Sequence, residues 1–241
     1  MLQLSDINII DSQQALAAIP VDKTLINTIN AHSFNVAQRD DDFAEALQEG
    51  DYLIADGASI VWACKFLKAK SQPRERISGW DLFVFEMRRL NERGGRCMFL
   101  GSSEKTLELI KERARTEYPN IEVMTYSPPY KDKFTDEESM AMVDAVNAAK
   151  PDLLWIGMTA PKQEKWTWEH WDELQIDGHV GCIGAVFDFF AGTVKRAPLW
   201  WQEHSLEWLY RLLTEPRRMW RRYLLGNPLF LWNVIKEKWE W

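Results

Sequence analysis

Short apolar runs that alternate with longer amphipathic segments constrain the fold of this chain more than any other feature. The runs predict six strands, at residues 24–30, 52–55, 96–101, 122–126, 153–157 and 180–184. The segments between them predict six helices, at residues 41–48, 60–68, 82–93, 104–117, 137–149 and 162–174. Such an alternation is typical of a mainly parallel sheet with helices on both faces. We therefore expect a single α/β domain of the Rossmann-like class.

The alternation stops after the segment FDFFAG, and the rest of the chain is predicted to form helices without a strand. This change predicts an α/β core at residues 1–194 and a helical appendage at residues 195–241, which we call the tail. A leucine stripe early in the tail is expected to pack on the core; it contains Leu206, Leu209, Leu212 and Leu213. The segment after this stripe is expected to serve a different purpose.

Charge is distributed unevenly between the two parts of the chain. The formal net charge is −7, yet residues 195–241 contain nine Lys or Arg, five Glu and seven of the thirteen tryptophans. Basic residues mixed with Trp and Leu are typical of a segment that lies in a membrane interface. We therefore expect the tail to hold a cytoplasmic protein on the inner face of the cell membrane. The acidic body argues against a nucleic-acid-binding protein.

Two features argue against an exported or membrane-spanning chain. No apolar run approaches the length that crosses a bilayer. The N-terminal sequence MLQLSDINII has neither the basic start nor the apolar stretch of a signal peptide. The sequence therefore predicts peripheral rather than integral membrane association.

Polar residues and glycines follow the predicted strands, at the edge where open parallel sheets bind their ligands. Asp56, in IADGASIVW, precedes a glycine turn and is a candidate general base. The competing interpretation is a turn aspartate bonded to nearby backbone. Thr28 and Asn30, in TINAHSF, are candidate contacts to a sugar hydroxyl. Gly101 and Gly157 end two further predicted strands and are candidate substrate contacts.

Several residues near these strand ends are candidates for binding an anion. Lys162 and Gln163, in APKQEKW, fall in the first turn of a predicted helix, where free N–H groups and the positive end of the helix dipole lie. Arg76 lies before a glycine turn, and its guanidinium matches phosphate geometry, although a surface arginine is the alternative. Three arginines of the tail are expected to reach the same anion: Arg211, Arg218 and Arg221.

Several motifs of other enzyme classes are missing. The chain has no P-loop and no GxGxxG after a strand, so a nucleotide enzyme of the methyltransferase type is not supported. It has no Asp-x-Asp at a strand end, and its four histidines lack metal-ligand spacing. We therefore expect neither a metal nor a cofactor. A non-catalytic α/β module that docks on a membrane through the tail is the alternative to an enzyme.

Seven segments occur in an order and spacing that resemble one protein family. They are TINAHSF, IADGASIVW, RISGWDL, FLGSS, IGMTAPKQE, GAVFDFFAGTVKRAP and LEWLYRLLTEPRR. Over residues 24–222 the chain resembles the WecG/TagA/CpsF family of bacterial glycosyltransferases. The resemblance implies a metal-independent, inverting transfer of N-acetylmannosamine, a uronic acid or a related hexose from a UDP donor. The implied acceptor is a polyprenyl-diphosphate-linked sugar at the cytoplasmic membrane face, and the products feed teichoic acid, common antigen, capsule or exopolysaccharide.

The resemblance also implies roles for individual residues. The catalytic aspartate of the family falls on Asp56, and its active-site threonine and asparagine fall on Thr28 and Asn30. Its arginine falls on Arg76 and its glutamine on Gln163. The exact sugar, the acceptor and the presence of a homo-oligomer are left open by the sequence.

Overall fold

All six predicted strands are present in the computed structural model, which describes residues 1–239. They are β1 (Thr24–Ile29), β2 (Tyr52–Ala55), β3 (Gly95–Gly101), β4 (Ile121–Tyr126), β5 (Leu153–Gly157) and β6 (His179–Cys182). They form one sheet in the order β2-β1-β6-β5-β3-β4, and every neighbouring pair is parallel. The prediction of an α/β fold of the Rossmann-like class is therefore confirmed.

Helices connect the strands and cover both faces of the sheet. In the body they are α1 (Ala31–Ala37), α2 (Asp41–Gln48), α3 (Ala58–Leu67), α4 (Gly79–Arg93), α5 (Glu104–Glu117), α6 (Asp136–Ala149), α7 (Lys162–Glu169) and α8 (Val186–Ala191). In the tail they are α9 (Leu199–Glu203), α10 (Glu207–Thr214), α11 (Pro216–Trp220) and α12 (Gly226–Lys238), with a π-helical turn at Arg221–Leu225. Within the described residues, the tail contains helices and no strand, as predicted.

The helix prediction was wrong at three places. The short helices α1 and α8 were missed because seven and six residues are too few to show a helical period. The helix predicted to run to Leu174 ends at Glu169. A 3-10 turn follows it, and the chain then turns inward, which buries Leu174 and Ile176 in the core.

Burial on both faces explains why the strands are continuous apolar runs. In β5, Leu153 and Trp155 pack in one core cluster with α4 and α8, whereas Leu154 and Ile156 pack in another with α6 and α7. The side chains of these four residues are all buried. The strand ends at the carboxyl edge of this sheet are therefore held rigidly.

The tail packs on the body differently from what its leucine stripe predicted. No residue of α10 is buried, and Leu213 is 65% exposed. Instead, Phe230 and Val234 of α12 are buried in the core cluster that contains Phe34. The expectation that the stripe completes the core is therefore wrong, because α10 covers a cavity rather than the sheet.

We call residues 195–225 the roof, to distinguish them from α12. Hydrogen bonds fix α12 at both ends: Asn35 donates to the Gly226 carbonyl at 2.7 Å, and the Ser5 N–H donates to Glu237 at 2.7 Å.

The division at residue 194 stays a prediction, and the last two residues of the tail lie outside the described residues. Within residues 1–239, no helix is long and apolar enough to cross a membrane.

Candidate active site

A cavity of about 490 Å³ lies at the carboxyl ends of β1, β2 and β6, beneath the tail. The body lines it with residues that include Thr28, Asn30, His32, Asp56, Trp62 and Arg76. The tail lines it with residues that include Arg196, Glu207, Arg211, Arg222, Tyr223 and Leu231. This volume is in the range of small-molecule sites, and its position follows the strand-end rule for open α/β sheets.

Asp56 is placed by the turn that follows β2. Its backbone N–H donates to the Ile29 carbonyl at 2.8 Å, and the Ile77 N–H donates to the Ala55 carbonyl at 2.9 Å. The next residue, Gly57, has a φ of 143°, which side chains rarely permit. These bonds join backbone atoms, so the turn is held without using the Asp56 carboxylate.

The surroundings of Asp56 favour its neutral form. Burial raises the pKa of the Asp56 carboxyl, and the nearby carboxylate of Glu207 raises it further. Arg222 and Arg76 act against this by lowering the same pKa. A carboxylate with a raised pKa is a stronger base, and catalysis is most effective when that pKa approaches the working pH. The site therefore has a suitable proton acceptor on the body, tuned by charges from the tail.

Arg222 brings a largely buried positive charge to the cavity. Burial lowers the pKa of its guanidinium, and the positive charge of Arg211 lowers it further. Its Nε atom is buried and has no hydrogen-bond partner among residues 1–239. A buried guanidinium N–H without a hydrogen bond is costly, and an anionic ligand would compensate it. Arg222 lies in the π-helical turn of the tail, a type of distortion that is frequent at functional sites.

Arg196 is the second arginine that the tail places over the body. Its Nε lies 3.7 Å from Glu207, and its terminal nitrogen is 3.5 Å from the Ser78 hydroxyl. Its guanidinium also lies over the Trp80 ring, 5.5 Å from the centroid. Within the described residues its Nε has no hydrogen bond, so the longer contact with Glu207 leaves this N–H able to donate to an anion.

Arg76 joins the body to the roof. Its guanidinium donates to the Gln202 carbonyl at 3.2 Å and lies 3.9 Å from Asp81. Both contacts hold the side chain beside the cavity that it lines. His32 lies on the same wall, and burial together with the charge of Arg222 lowers its pKa to about 4. His32 is therefore neutral at physiological pH and adds no positive charge.

The structure brings together five of the residues that the sequence singled out. Thr28, Asn30, Asp56, Arg76 and Arg211 all line the cavity. Asn30 also has a structural function, because its side-chain oxygen accepts the N–H groups that begin α1. The roles that the sequence suggests for these residues stay predictions, but their common location is now established.

Gln163 and Lys162 lie outside the cavity lining. The Gln163 oxygen accepts from the Met158 N–H at 3.2 Å, and its amide donates to Glu164 at 2.9 Å. Its side chain lies next to Gly184, whose chain neighbours line the cavity. The Lys162 ammonium donates to the Lys131 carbonyl at 2.7 Å. Both residues are therefore engaged within the protein, and their binding roles stay predictions.

Gly101 and Gly157 are also outside the lining and have a packing reason for being glycine. They are register partners on β3 and β5. A side chain at Gly101 would meet the Gly157 carbonyl at 2.6 Å, and one at Gly157 would meet the Phe187 ring at 2.8 Å. Close approach of two strands and a helix is sufficient to explain both residues.

Arg218 and Arg221 remain outside the cavity lining as well. Arg218 is exposed and pairs with Glu215 at 3.0 Å, while Arg221 lies over the ring of Trp220. Sequence reasoning therefore favoured two arginines that lie on the outer side and did not single out Arg222 or Arg196, which line the cavity. Arg196 lies in the segment GTVKRAP and Arg222 in the run RRMWRRY, but neither pattern shows that its arginine lines the cavity.

Candidate metal ligands are scattered in the part of the chain that the structure describes. Within residues 1–239, no group of three or more His, Cys, Asp and Glu side chains is arranged to hold a metal ion. The acidic cluster at the start of α2 is neutralised by Lys165, which lies 3.0 Å from both Asp40 and Asp42. The Asp40 side chain also caps α2 by accepting the Phe43 N–H. This cluster therefore forms the start of α2.

Comparison with known proteins identifies the family. The chain matches the family model for the glycosyl transferase WecG/TagA/CpsF family over residues 2–241. It is 28% identical over 214 residues to an N-acetylglucosaminyldiphosphoundecaprenol N-acetyl-beta-D-mannosaminyltransferase of Bacillus subtilis (strain 168), covering 89% of this chain and 80% of that protein. Two further proteins of the same name are similar to this chain. The one of Bacillus spizizenii is 32% identical over 81% of this chain and 72% of its own length. The one of Staphylococcus aureus (strain NCTC 8325) is 29% identical over 88% of this chain and 80% of its own length. With its carboxylate, its arginines and a family match that spans nearly the whole sequence, this chain belongs to the WecG/TagA/CpsF family of glycosyltransferases.

Proposed function

We propose that this protein transfers N-acetylmannosamine, or a related hexose or uronic acid, from a UDP-sugar to a polyprenyl-diphosphate-linked sugar, with inversion at the anomeric carbon. The product would enter synthesis of a bacterial cell-surface polysaccharide. The names of the relatives support the lipid-linked acceptor and the mannosamine group. The observation that carries the proposal is the position of Asp56 in one cavity with Arg76, Arg196, Arg211 and Arg222.

In this proposal Asp56 is the general base. Its carboxylate takes the proton from the acceptor hydroxyl as that oxygen forms a bond to the anomeric carbon of the donor. The bond between that carbon and the UDP oxygen breaks at the same time, and UDP leaves with the bonding electrons. Attack from the face opposite the leaving group inverts the configuration. The raised pKa of Asp56 supports this role, because it strengthens the base.

Arginines supply the positive charge that the leaving diphosphate requires. Arg196 and Arg222 each have a buried Nε without a hydrogen bond in the described part of the chain, and both line the cavity. Fixed cations aimed at developing negative charge lower the barrier without reorganisation during the reaction. We infer that these side chains replace a divalent metal, and that UDP release continues in the presence of EDTA.

The exposed surface of the tail supports attachment to the inner face of the cell membrane. Large apolar side chains on this surface include Leu199, Trp200, Leu213, Trp220, Leu224 and Leu225. Exposed arginines, among them Arg217 and Arg218, lie in the same segment. Apolar side chains beside basic ones bind anionic lipid surfaces. This attachment would place the cavity beside an acceptor that resides in the membrane.

The central test measures UDP release and product formation with UDP-N-acetylmannosamine and a lipid-linked N-acetylglucosamine diphosphate. Asp56→Asn should lower kcat roughly 10²–10⁴-fold, which is the usual contribution of a general base. Asp188→Asn is the matched control, because Asp188 is outside the cavity lining and accepts from Thr193 at 3.3 Å. Near-normal turnover by Asp56→Asn would disprove its role, and the anomeric configuration of the product decides inversion.

Membrane attachment requires a variant that keeps the fold. Truncation after Leu213 is unsuitable, because it removes the buried Phe230 and Val234. Replacing the exposed Leu224 and Leu225 with serine leaves the core intact and should reduce flotation with anionic liposomes. Unchanged flotation would contradict the proposed attachment. A non-catalytic membrane-docking module, the alternative function, would float with liposomes but would release no UDP in the first assay.

A further inference from the structure

One wall of the cavity continues outward as an apolar surface on α3. Trp62 lines the cavity and is nevertheless 46% exposed. Its ring stacks on that of Phe66, one helical turn further along, at 5.2 Å and an interplanar angle of 11°. The two stacked rings therefore form a continuous apolar strip that begins at the cavity lining and ends outside it.

A second apolar strip lies on α12, next to the first. Leu231, Ile235 and Trp239 recur every four residues, so they share one face of the helix, and each is exposed. Phe230 and Val234 lie on another face of the same helix and are buried in the core. Leu231 lines the cavity, so this strip also starts there. Leu231 and Trp239 are eight positions apart, which corresponds to about 12 Å along the helix.

The two strips lie side by side as one apolar surface between α3 and α12, which we call the groove. Helices α3 and α12 pack against each other, and the Trp239 ring approaches the Phe66 ring edge-on at 6.4 Å. Lys238 fixes the outer end by donating to the Leu67 carbonyl at 3.3 Å. The groove runs from Trp62 and Leu231 at the cavity to Phe66 and Trp239 at the surface. It lies near β2, one of the two edge strands of the sheet, because α3 packs on that strand.

Chemical character changes across the cavity. The wall nearest α4 carries Arg196, which contacts Trp80 and Ser78. The wall formed by α3 and α12 carries Trp62 and Leu231. Asp56 lies at the end of β2, directly before α3. The arginine wall is suited to the donor diphosphate, so the apolar wall remains available to a second ligand that carries a long apolar chain.

We propose that the groove between α3 and α12 binds the first isoprene units of the acceptor lipid and thereby positions the acceptor sugar at Asp56. This inference rests on the proposed function, because it assigns a binding surface to the acceptor of that reaction. Continuity with the catalytic cavity identifies the occupant. A surface that only enters a bilayer has no need to line the cavity, whereas Trp62 and Leu231 do so while remaining partly exposed.

The first test measures binding alone, on the full chain, and does not depend on turnover. Farnesyl diphosphate is the probe, and inorganic diphosphate is its counterpart without an apolar chain. Farnesyl diphosphate should bind roughly tenfold or more tightly than inorganic diphosphate, because burying apolar surface adds to affinity. Trp62→Ala and Leu231→Gln should each remove most of this difference while leaving the binding of inorganic diphosphate unchanged.

Trp200→Ala is the matched control. Trp200, in α9 of the tail, is an exposed tryptophan like Trp62. It stacks on His204 at 4.5 Å and is outside the cavity lining. This variant should bind farnesyl diphosphate as the unmodified protein does. The groove is refuted if farnesyl diphosphate binds no more tightly than inorganic diphosphate, or if Trp62→Ala and Trp200→Ala behave alike. Loss of liposome flotation by Trp62→Ala with unchanged farnesyl binding would also refute it, in favour of contact with the bilayer.

A second test compares transfer to acceptors with short and long isoprenoid chains in detergent. Trp62→Ala should raise KM for the long-chain acceptor by roughly tenfold and leave KM for the UDP-sugar unchanged. Equal changes for both acceptors would overturn the inference. If no acceptor supports transfer while farnesyl binding still depends on Trp62, the proposed function fails and the groove remains. If transfer proceeds and neither measurement depends on Trp62, only the groove fails.

Discussion

The two halves of the tail contribute different things to the protein. In the roof, residues 195–225, only Ala197 and Met219 are buried among the apolar residues, and the segment supplies charged side chains to the cavity. In α12, Phe230 and Val234 complete a core cluster of the body. The roof therefore contributes charged side chains to the cavity and little buried apolar surface, whereas α12 contributes buried apolar side chains to the core. A boundary drawn between core and appendage by sequence pattern separates α12 from the core to which it contributes.

The largest expected effect tests the packing half. Phe230→Ala removes a ring that is 2% exposed and contacts Phe34 edge-on at 5.6 Å. Truncating a buried phenylalanine costs about 3–5 kcal/mol of unfolding free energy. Leu213→Ala is the matched change in the roof, and it should cost less than about 0.5 kcal/mol because Leu213 is largely exposed. Denaturant unfolding of both variants measures the contrast, and equal losses would erase the distinction between the two halves.

The next effect tests the chemical half. Arg222→Ala should lower kcat by roughly 10²–10³-fold, the usual loss when one group that stabilises developing charge is removed. The same change should not lower thermal stability, because it removes a buried charge whose Nε has no partner within residues 1–239. Arg218→Ala provides the control, since Arg218 is exposed and outside the cavity lining. A variant that unfolds without losing specific activity would assign Arg222 to packing instead.

The junction between the two halves should show an intermediate effect. The Asn35 amide donates to the Gly226 carbonyl at 2.7 Å and thereby holds the first residue of α12 to α1. Asn35→Ala leaves that carbonyl without its partner, which costs about 1–3 kcal/mol. Asn35 also accepts from Asn233 at 3.0 Å, and Asn233→Ala tests that bond alone. Unfolding free energies measure both changes, and a negligible loss from Asn35→Ala would show that apolar packing alone fixes α12.

Sequence reasoning was accurate where burial determines the pattern. Strands buried on both faces must be continuously apolar, so β5 and its neighbours were visible as short apolar runs. The position of Asp56 followed from the same reasoning, because it directly follows β2. Helices α1 and α8 were missed because seven and six residues are too few to display the helical period in the sequence.

The roof was less predictable for a geometric reason. In an undisturbed α-helix, Arg218 and Arg222 are four residues apart and would share one face. In the structure Arg222 lines the cavity whereas Arg218 pairs with Glu215 outside it, and the four-residue spacing does not reveal this difference. The leucine stripe of α10 was misleading in a related way. A periodic pattern shows that one face is apolar, but it does not show which surface covers that face.

The smallest expected effect concerns how the roof tunes the base on the body. Asp56 must be ionised to accept a proton, so activity should fall as the pH decreases through its pKa. Burial raises that pKa first, and the charge of Glu207 raises it further. Glu207→Gln removes the neighbouring negative charge, so the pKa of Asp56 should fall and the acid limb of the kcat/KM profile should move to lower pH. The shift is small because Glu207 is only partly buried and its charge is screened by solvent. Glu203→Gln, an exposed change in α9 outside the cavity lining, should leave the limb in place. An acid limb that stays fixed or moves to higher pH in Glu207→Gln would show that the roof does not tune the base, and its contribution would then be confined to the arginines.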